Sequence, residues 1–123
     1  MAAGTCTVTE EMLGNVEKIT WAWTSGSAGE EITGTTTYPH TGEVLRCYCV
    51  PGTGDDTPSD QYDITVSDGD SIDVLLGYGA NCSNASTAVI AFGGAVVGDT
   101  LTMSATNAGN SNKGTVILHL RKA

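Results

Sequence analysis

Hydrophobic and polar residues alternate along most of the chain with a period of two, which is the spacing of a β-strand that buries one face. The clearest case is residues 16–24, where Ile19, Trp21 and Trp23 share one face and Lys, Thr and Ala take the other. Because that other face is polar or small, we interpret both tryptophans as core residues. Shorter segments with strand character are residues 5–10, 32–38, 43–50, 62–66, 72–74, 87–92, 100–106 and 115–121.

The segment at residues 43–50 has two faces of different character. Leu45, Cys47 and Cys49 lie on one face, which carries no charged residue, whereas Arg46 lies on the other. We therefore expect the side with Leu45, Cys47 and Cys49 to face the core.

A β-hairpin is predicted near the middle of the chain. Residues 62–66 alternate apolar and polar side chains, and residues 72–74 resume the alternation. Between them stands Asp68-Gly69, a dipeptide that readily supplies the positive φ angles of a tight turn. The two segments are therefore expected to pair as antiparallel arms.

Clusters of glycine, proline and small polar residues predict the connections. The longest is residues 51–60, and others are residues 25–29, 77–86 and 107–110. Residues 10–13 offer one helical turn at most, and no segment fits a helix of three turns.

These elements predict an all-β chain with about eight strands and little or no helix. The expected architecture is an antiparallel β-sandwich of jelly-roll or immunoglobulin-like type, formed by residues 1–123 as a single domain. The strand spacing also fits a barrel, so the choice between sandwich and barrel stays open at this point.

Composition and charge narrow the class of protein. Of 123 residues, 40% are hydrophobic and 15% are charged, which suits one folded domain with a modest core. No apolar run approaches the roughly 18 residues of a membrane-spanning helix. The net charge of −9 excludes a simple nucleic-acid-binding protein, since phosphate contacts require a basic surface. Residues 1–4 lack the features of a signal peptide, so we expect a chain that is made and kept in a cytoplasm, or released only by lysis.

The four cysteines are expected to be free thiols in such a compartment. They are Cys6, Cys47, Cys49 and Cys82. Cys47 and Cys49 point the same way from a predicted strand, which suits neither a zinc knuckle nor a disulfide between them. A disulfide between Cys6 and Cys82 stays open.

Acidic residues are concentrated in one part of the chain. Seven aspartates fall within residues 55–73, and no Lys or Arg lies between Arg46 and Lys113. The stretch from Asp68 is similar to a calcium loop, but its glycine is at the second position and Gly79 stands where an EF-hand has glutamate. We interpret these aspartates as turn and solvent-face residues, and calcium binding by loop 55–73 stays open.

The chain lacks the usual motifs for a nucleophile, a phosphate-binding loop or a zinc protease. We interpret His40 and His119 as surface or hydrogen-bonded histidines rather than catalysts. No catalytic, cofactor-binding or metal-binding residue is predicted, and no enzymatic activity is expected. A hydrolase that uses two carboxylates is the alternative that residue counts leave open.

A series of turn-and-strand motifs runs through the second half of the chain. They are residues 58–66, the Asp68-Gly69 turn, residues 73–75, Gly77-x-Gly79-x-Asn81, and residues 98–102, 107–109 and 114–121. These motifs resemble a segment of small structural proteins of tailed bacteriophages. The resemblance implies a β-sandwich virion component with no catalytic residues to transfer.

Within that group, the resemblance implies a capsid decoration (cement) protein, which binds the outer surface of the viral shell and stabilises it. The expected partners are the capsid protein lattice or other virion proteins and further copies of the chain, with a trimer by analogy; nucleic acid and membrane are not expected. The alternatives are a tail or head–tail accessory protein and a carbohydrate- or receptor-binding module. The module would use Trp21, Trp23 and Tyr78; Tyr48 is also expected to be exposed.

Overall fold

Nine strands form two antiparallel sheets that pack against each other. The computed structural model describes residues 4–26 and 31–122. The strands are β1 (Thr5–Leu13), β2 (Val16–Thr24), β3 (Ile32–Thr35), β4 (His40–Pro51), β5 (Asp63–Ser67), β6 (Ala88–Ile90), β7 (Ala95–Asp99), β8 (Thr102–Thr106) and β9 (Lys113–Arg121). The one helical element in this part of the chain is a 3₁₀ turn at Gly54–Asp56. The prediction of an all-β sandwich is confirmed.

The larger sheet has the strand order β1-β2-β9-β4-β6, and β7 also pairs with β4. The smaller sheet has the order β3-β8-β5. β2 and β9 pair along their whole length, from Val16 opposite Arg121 to Thr24 opposite Lys113. Because opposite residues of neighbouring strands share a face, this register aligns side chains of β2, β9 and β4 in rows across the sheet.

The inward face of β2 lies at the centre of the core. Ile19, Trp21 and Trp23 are at most 1% exposed, which confirms the prediction for this strand. The Nε1 of Trp21 donates to the carbonyl oxygen of Gly34 at 2.9 Å, and the ring centroids of Trp23 and Tyr62 lie 5.7 Å apart. Both sheets complete the core with buried apolar residues, among them Ile64, Val66, Met103, Ala105, Val116, Leu118 and Leu120.

A β-bulge in β4 changes the prediction for the core face of that strand. The pairing with β9 shifts between Val44 and Arg46, so the strand holds one extra residue there. After the bulge, Cys47 and Cys49 face the core as predicted; before it, Val44 takes the core position at 3% exposure. The assignment of Leu45 to the core is wrong, because an extra residue reverses the alternation and leaves Leu45 half-buried.

The prediction that residues 62–66 and 72–74 pair as the two strands of a hairpin is wrong. β5 pairs with β8, and the segment after the turn makes a single bridge to β5 at Asp73. The left-handed residue of the turn is Ser71, with φ 63°, and not Gly69. Gly69 instead leaves room for a neighbouring side chain, because a Cβ at this position would lie 2.7 Å from Oδ1 of Asp99.

The remaining differences between the predicted and the observed strands lie mainly at strand ends. β1 continues through residues 10–13, so the helical turn considered there does not form. The strand predicted at residues 32–38 ends at Thr35. β7 was not predicted, because Val96 is its one buried residue and glycines flank it. The loops predicted at residues 51–60, 77–86 and 107–110 are confirmed, whereas residues 27–29 of the turn predicted at 25–29 lie outside the described residues.

Gly114 provides a test of core packing. It lies opposite Trp23 in the β2–β9 register, and a Cβ at this position would collide with the indole ring. We predict that Gly114→Ala lowers the free energy of unfolding by about 2 kcal/mol, because overpacking displaces the ring. Gly94→Ala is the control, since a Cβ there would meet its nearest heavy atom at 3.8 Å. Urea denaturation followed by tryptophan fluorescence measures both, and equal losses would contradict the packing argument.

Candidate functional site

Buried charge is concentrated at one end of the larger sheet. Glu10 of β1, Glu17 of β2 and His40 at the start of β4 meet there, together with Lys122 just after β9. The Nε2 of His40 lies 2.7 Å from Oε1 of Glu10, and its Nδ1 bonds to Oε2 of Glu17. Lys122 Nζ lies 2.9 Å from the other oxygen of Glu17. Each ring nitrogen of His40 therefore faces a carboxyl oxygen, one from Glu10 and one from Glu17.

The strand pattern places these charges inside. Glu17 continues the inward face of β2 beyond Ile19, and its side chain is buried. Glu10 also accepts bonds from the backbone N–H groups of Thr37 and Tyr38, at 3.0 and 3.3 Å. The cluster therefore ties the β1–β2 hairpin to the segment that leads into β4. The interpretation of His40 as a hydrogen-bonded histidine agrees with this arrangement.

The two carboxyl groups of the cluster stay ionised near neutral pH. Burial opposes the charge on Glu10, but bonds from His40 and two backbone N–H groups hold the pKa of this carboxyl below its ordinary value. For Glu17, burial likewise opposes the charge, while Lys122 and His40 hold the pKa below its ordinary value. A two-carboxylate hydrolase needs one carboxyl group with a raised pKa as its acid. Neither carboxyl group here meets that requirement, although a cavity of about 280 Å³ opens beside them.

These shifts predict how stability depends on pH. A carboxyl group whose pKa is lowered in the folded state stabilises the fold above its ordinary value of 4.5 and loses that contribution as the pH falls. We therefore expect the free energy of unfolding to fall as the pH drops below about 4.5. Glu17→Gln should cost about 3 kcal/mol at pH 7, because it leaves His40 without one of its buried partners, and should make the acid dependence shallower.

Glu43→Gln is the control for this experiment, since Glu43 is exposed. Denaturation curves between pH 3 and pH 7 measure all three proteins. A Glu17→Gln protein with the wild-type stability and acid dependence would contradict the assignment.

The cysteines are free thiols, and three of them are buried. The alternative disulfide between Cys6 and Cys82 is not formed. Cys6 is half-buried against β3, and burial raises its pKa to about 11. Contact with Cys47 raises the pKa of Cys49, and contact with Cys49, together with burial, raises the pKa of Cys82. Thiols in this state are poor nucleophiles and poor metal ligands, since the thiolate is the reactive form.

The thiols should therefore react slowly in the folded protein. We expect Ellman's reagent at pH 8 to modify Cys6 slowly and the three buried cysteines only after unfolding, when all four react. Absorbance at 412 nm with and without denaturant measures this. Rapid modification of two or more cysteines in the folded protein would contradict the burial of this cluster.

The aspartates of loop 55–73 mainly order the backbone. Asp68 accepts bonds from the N–H groups of Asp70 and Ile72, which confirms its role as a turn residue. Carboxylate oxygens of Asp68, Asp70 and Asp99 lie within 4.8 Å of one another. Each residue offers one oxygen to this grouping, and three oxygens are fewer than the six to eight that Ca²⁺ takes, so the grouping does not by itself form a calcium cage.

The aromatic candidates for binding divide into buried and exposed residues. Trp21 and Trp23 lie in the core, so neither can stack on a sugar ring. Tyr78 is 59% exposed and packs edge-to-face on Phe92, which is 50% exposed, with ring centroids 4.7 Å apart. Leu76, 54% exposed, lies beside Gly94, which follows Phe92 by two residues. We call Leu76, Tyr78 and Phe92 the apolar patch.

Asp73 holds the apolar patch in place, which the sequence did not reveal. Its Oδ1 accepts bonds from the N–H groups of Val66 and Leu75 at 3.1 and 3.0 Å, and its Oδ2 accepts one from Gly77 at 2.9 Å. The N–H of Gly94 donates to the carbonyl oxygen of Val74 at 2.8 Å. Both segments of the patch are therefore fixed to the sandwich by backbone contacts.

No family model, curated protein or solved structure matches this chain. The relationship to tailed-bacteriophage proteins accordingly stays a prediction from the sequence motifs.

Proposed function

We propose that the chain is a non-enzymatic structural protein of a tailed-bacteriophage virion, most specifically a decoration protein on the outside of the shell. The observation that carries the proposal is the apolar patch, because exposed aromatic side chains at a well-ordered position are typical anchors of protein–protein contacts. The turn-and-strand motifs of the second half supply the link to virion proteins.

The geometry of the apolar patch suits a permanent contact. Three hydrogen bonds to Asp73 and the bond from Gly94 to Val74 order the backbone beneath the patch before any partner arrives. A preordered surface loses little conformational entropy on binding, so more of the contact energy remains as affinity. The net charge of −9 also keeps the chain away from packaged nucleic acid, which suits the outer surface of a shell.

The proposed mechanism is mechanical. A rigid sandwich that contacts two neighbouring shell subunits adds buried area that must be exposed before the subunits separate. Ligands that bind one state stabilise that state by mass action, so the stability of the shell rises with its occupancy by the decoration protein.

The buried tryptophans weigh against a carbohydrate-binding module. Such a module presents an open aromatic face to the sugar, whereas both tryptophans are in the core and the exposed Tyr78 packs edge-to-face with Phe92. A tail or head–tail accessory protein would use the same apolar patch, and its position in the particle distinguishes it from a decoration protein.

The proposal predicts binding to viral shells through the apolar patch. Cells that carry the gene supply tailed particles, from which bare shells are prepared, and purified protein is added back. We expect saturable binding and a higher temperature of shell opening. Phe92→Ser should weaken binding about 30-fold, as for a buried interface anchor worth roughly 2 kcal/mol.

Leu13→Ser is the control, because Leu13 is 56% exposed but lies on the β1–β2 hairpin at the other edge of the sheet. Cryo-electron microscopy of the particles locates the chain on the head or the tail. Absence of the chain from purified particles, or shells that neither bind it nor gain heat resistance, would overturn the proposal.

A further inference from the structure

Basic side chains are rare in this chain, yet two of them and a histidine lie side by side. Lys and Arg total five against fourteen Asp and Glu. In the register of the larger sheet, Lys18 of β2 is opposite His119 of β9, and Arg46 of β4 is also opposite His119. All three belong to the face that points away from the core, since the neighbours Ile19, Cys47 and Leu118 are buried. We call Lys18, His119 and Arg46 the cationic row.

Contacts within the cationic row hold its members in place. The Nε of Arg46 donates to Nδ1 of His119 at 3.2 Å. The guanidinium lies 5.0 Å from the ring centroid of Tyr48, whose ring meets His119 edge-to-face at 5.7 Å. The charged end of Arg46 is thereby oriented by two aromatic neighbours before any partner binds.

No side chain of the described residues forms an ion pair with the cationic row. Glu11 of β1 stands opposite Lys18 in the register, yet neither Lys18 nor Arg46 is paired with a carboxylate. Burial, together with the charges of Arg46 and Lys18, lowers the pKa of His119, as expected for a histidine that lies between two cations. A shallow hollow beside the row is lined by Leu13, Val16 and Leu45, so the charges border an apolar surface.

We propose that the cationic row binds the acidic loop of residues 52–62, between β4 and β5, on a second copy of this chain. Charge complementarity identifies the partner. That loop carries Asp55, Asp56 and Asp60 without a Lys or Arg, and Asp55 and Asp60 are exposed. An aspartate carboxylate placed against Arg46 forms a charge-assisted, two-pronged hydrogen bond, the strongest contact such a row offers.

The contact must join two molecules. β4 runs from Arg46 to Pro51 before the acidic loop begins, and five residues of strand span roughly 17 Å. The acidic residues just beyond Pro51 therefore lie far from the cationic row of their own copy. Because the two surfaces differ, the contact is head-to-tail, and copies that repeat it form a ring or an open chain.

Repulsion between whole molecules determines the salt concentration at which two copies associate. Two copies, each with a net charge of −9, repel each other, but at physiological salt charges more than about 8 Å apart are largely screened. The local pairing then dominates, while still higher salt screens the pairing as well. Self-association should accordingly be strongest near 0.15 M salt and weaken well above it.

Sedimentation velocity of the purified chain tests the inference without any viral shell. We expect concentration-dependent association at 0.15 M sodium chloride that is lost at 1 M. Lys18→Glu and Arg46→Glu should each weaken association at least tenfold. Lys113→Glu is the matched control for the cationic row, because it makes the same charge change at the far end of the same strands, beside Asp56 of the acidic loop, and should not weaken association.

Cross-linking provides a second readout that needs no variant. A water-soluble carbodiimide joins the Lys18 amine to a carboxylate with loss of water, forming an amide at zero length. In an equal mixture of ¹⁴N- and ¹⁵N-labelled protein, we expect mixed-isotope cross-links from Lys18 to the aspartates of residues 52–62. A monomer at every salt concentration, or cross-links from Lys18 only within one molecule, would overturn the inference, as would equal effects of Arg46→Glu and Lys113→Glu. Circular dichroism verifies that each variant is folded.

Discussion

The packing of two tryptophans from one strand between the sheets is the interaction on which the rest of the structure depends. Trp21 and Trp23 come from the inward face of β2 and are almost completely buried. Rings of this size fit only where the opposing backbone lacks side chains: Gly34 accepts the indole N–H of Trp21, and Gly114 lies against Trp23. Glycine is usually unfavourable inside strands, and here the loss is offset by the aromatic area that the two positions bury.

The inward face of β2 ends in a charged residue, which is unfavourable in a core. Beyond Ile19, the next inward residue is Glu17, whose charge would be unfavourable in the core without partners. His40 and Lys122 satisfy it, and Glu10 completes the cluster. These residues come from distant parts of the chain, so the cluster exists only when β1, β2, β4 and the end of β9 are assembled. It makes the closure of this end of the sandwich conditional on correct strand placement.

Both proposed binding surfaces, the cationic row and the apolar patch, are formed by the arrangement of the strands. The cationic row exists because the β2–β9 and β4–β9 registers place Lys18, His119 and Arg46 in one line. The apolar patch exists because Asp73 fixes one segment and Gly94 fixes the other against the sandwich. Both surfaces are supported by hydrogen-bonded strands or turns, which suits a protein that contributes contacts rather than moving parts.

Alternation of side chains was enough to determine the fold class and the core face of β2, because local period and burial agree in that strand. It failed in β4, where a bulge exchanged Leu45 for Val44, and at the expected hairpin, where Asp73 bound the backbone and β8 took the place of the second arm. The His40 cluster, the apolar patch and the cationic row were decided by tertiary structure alone. Each depends on residues distant in sequence, and a one-dimensional pattern holds no information on which strands become neighbours or in what register.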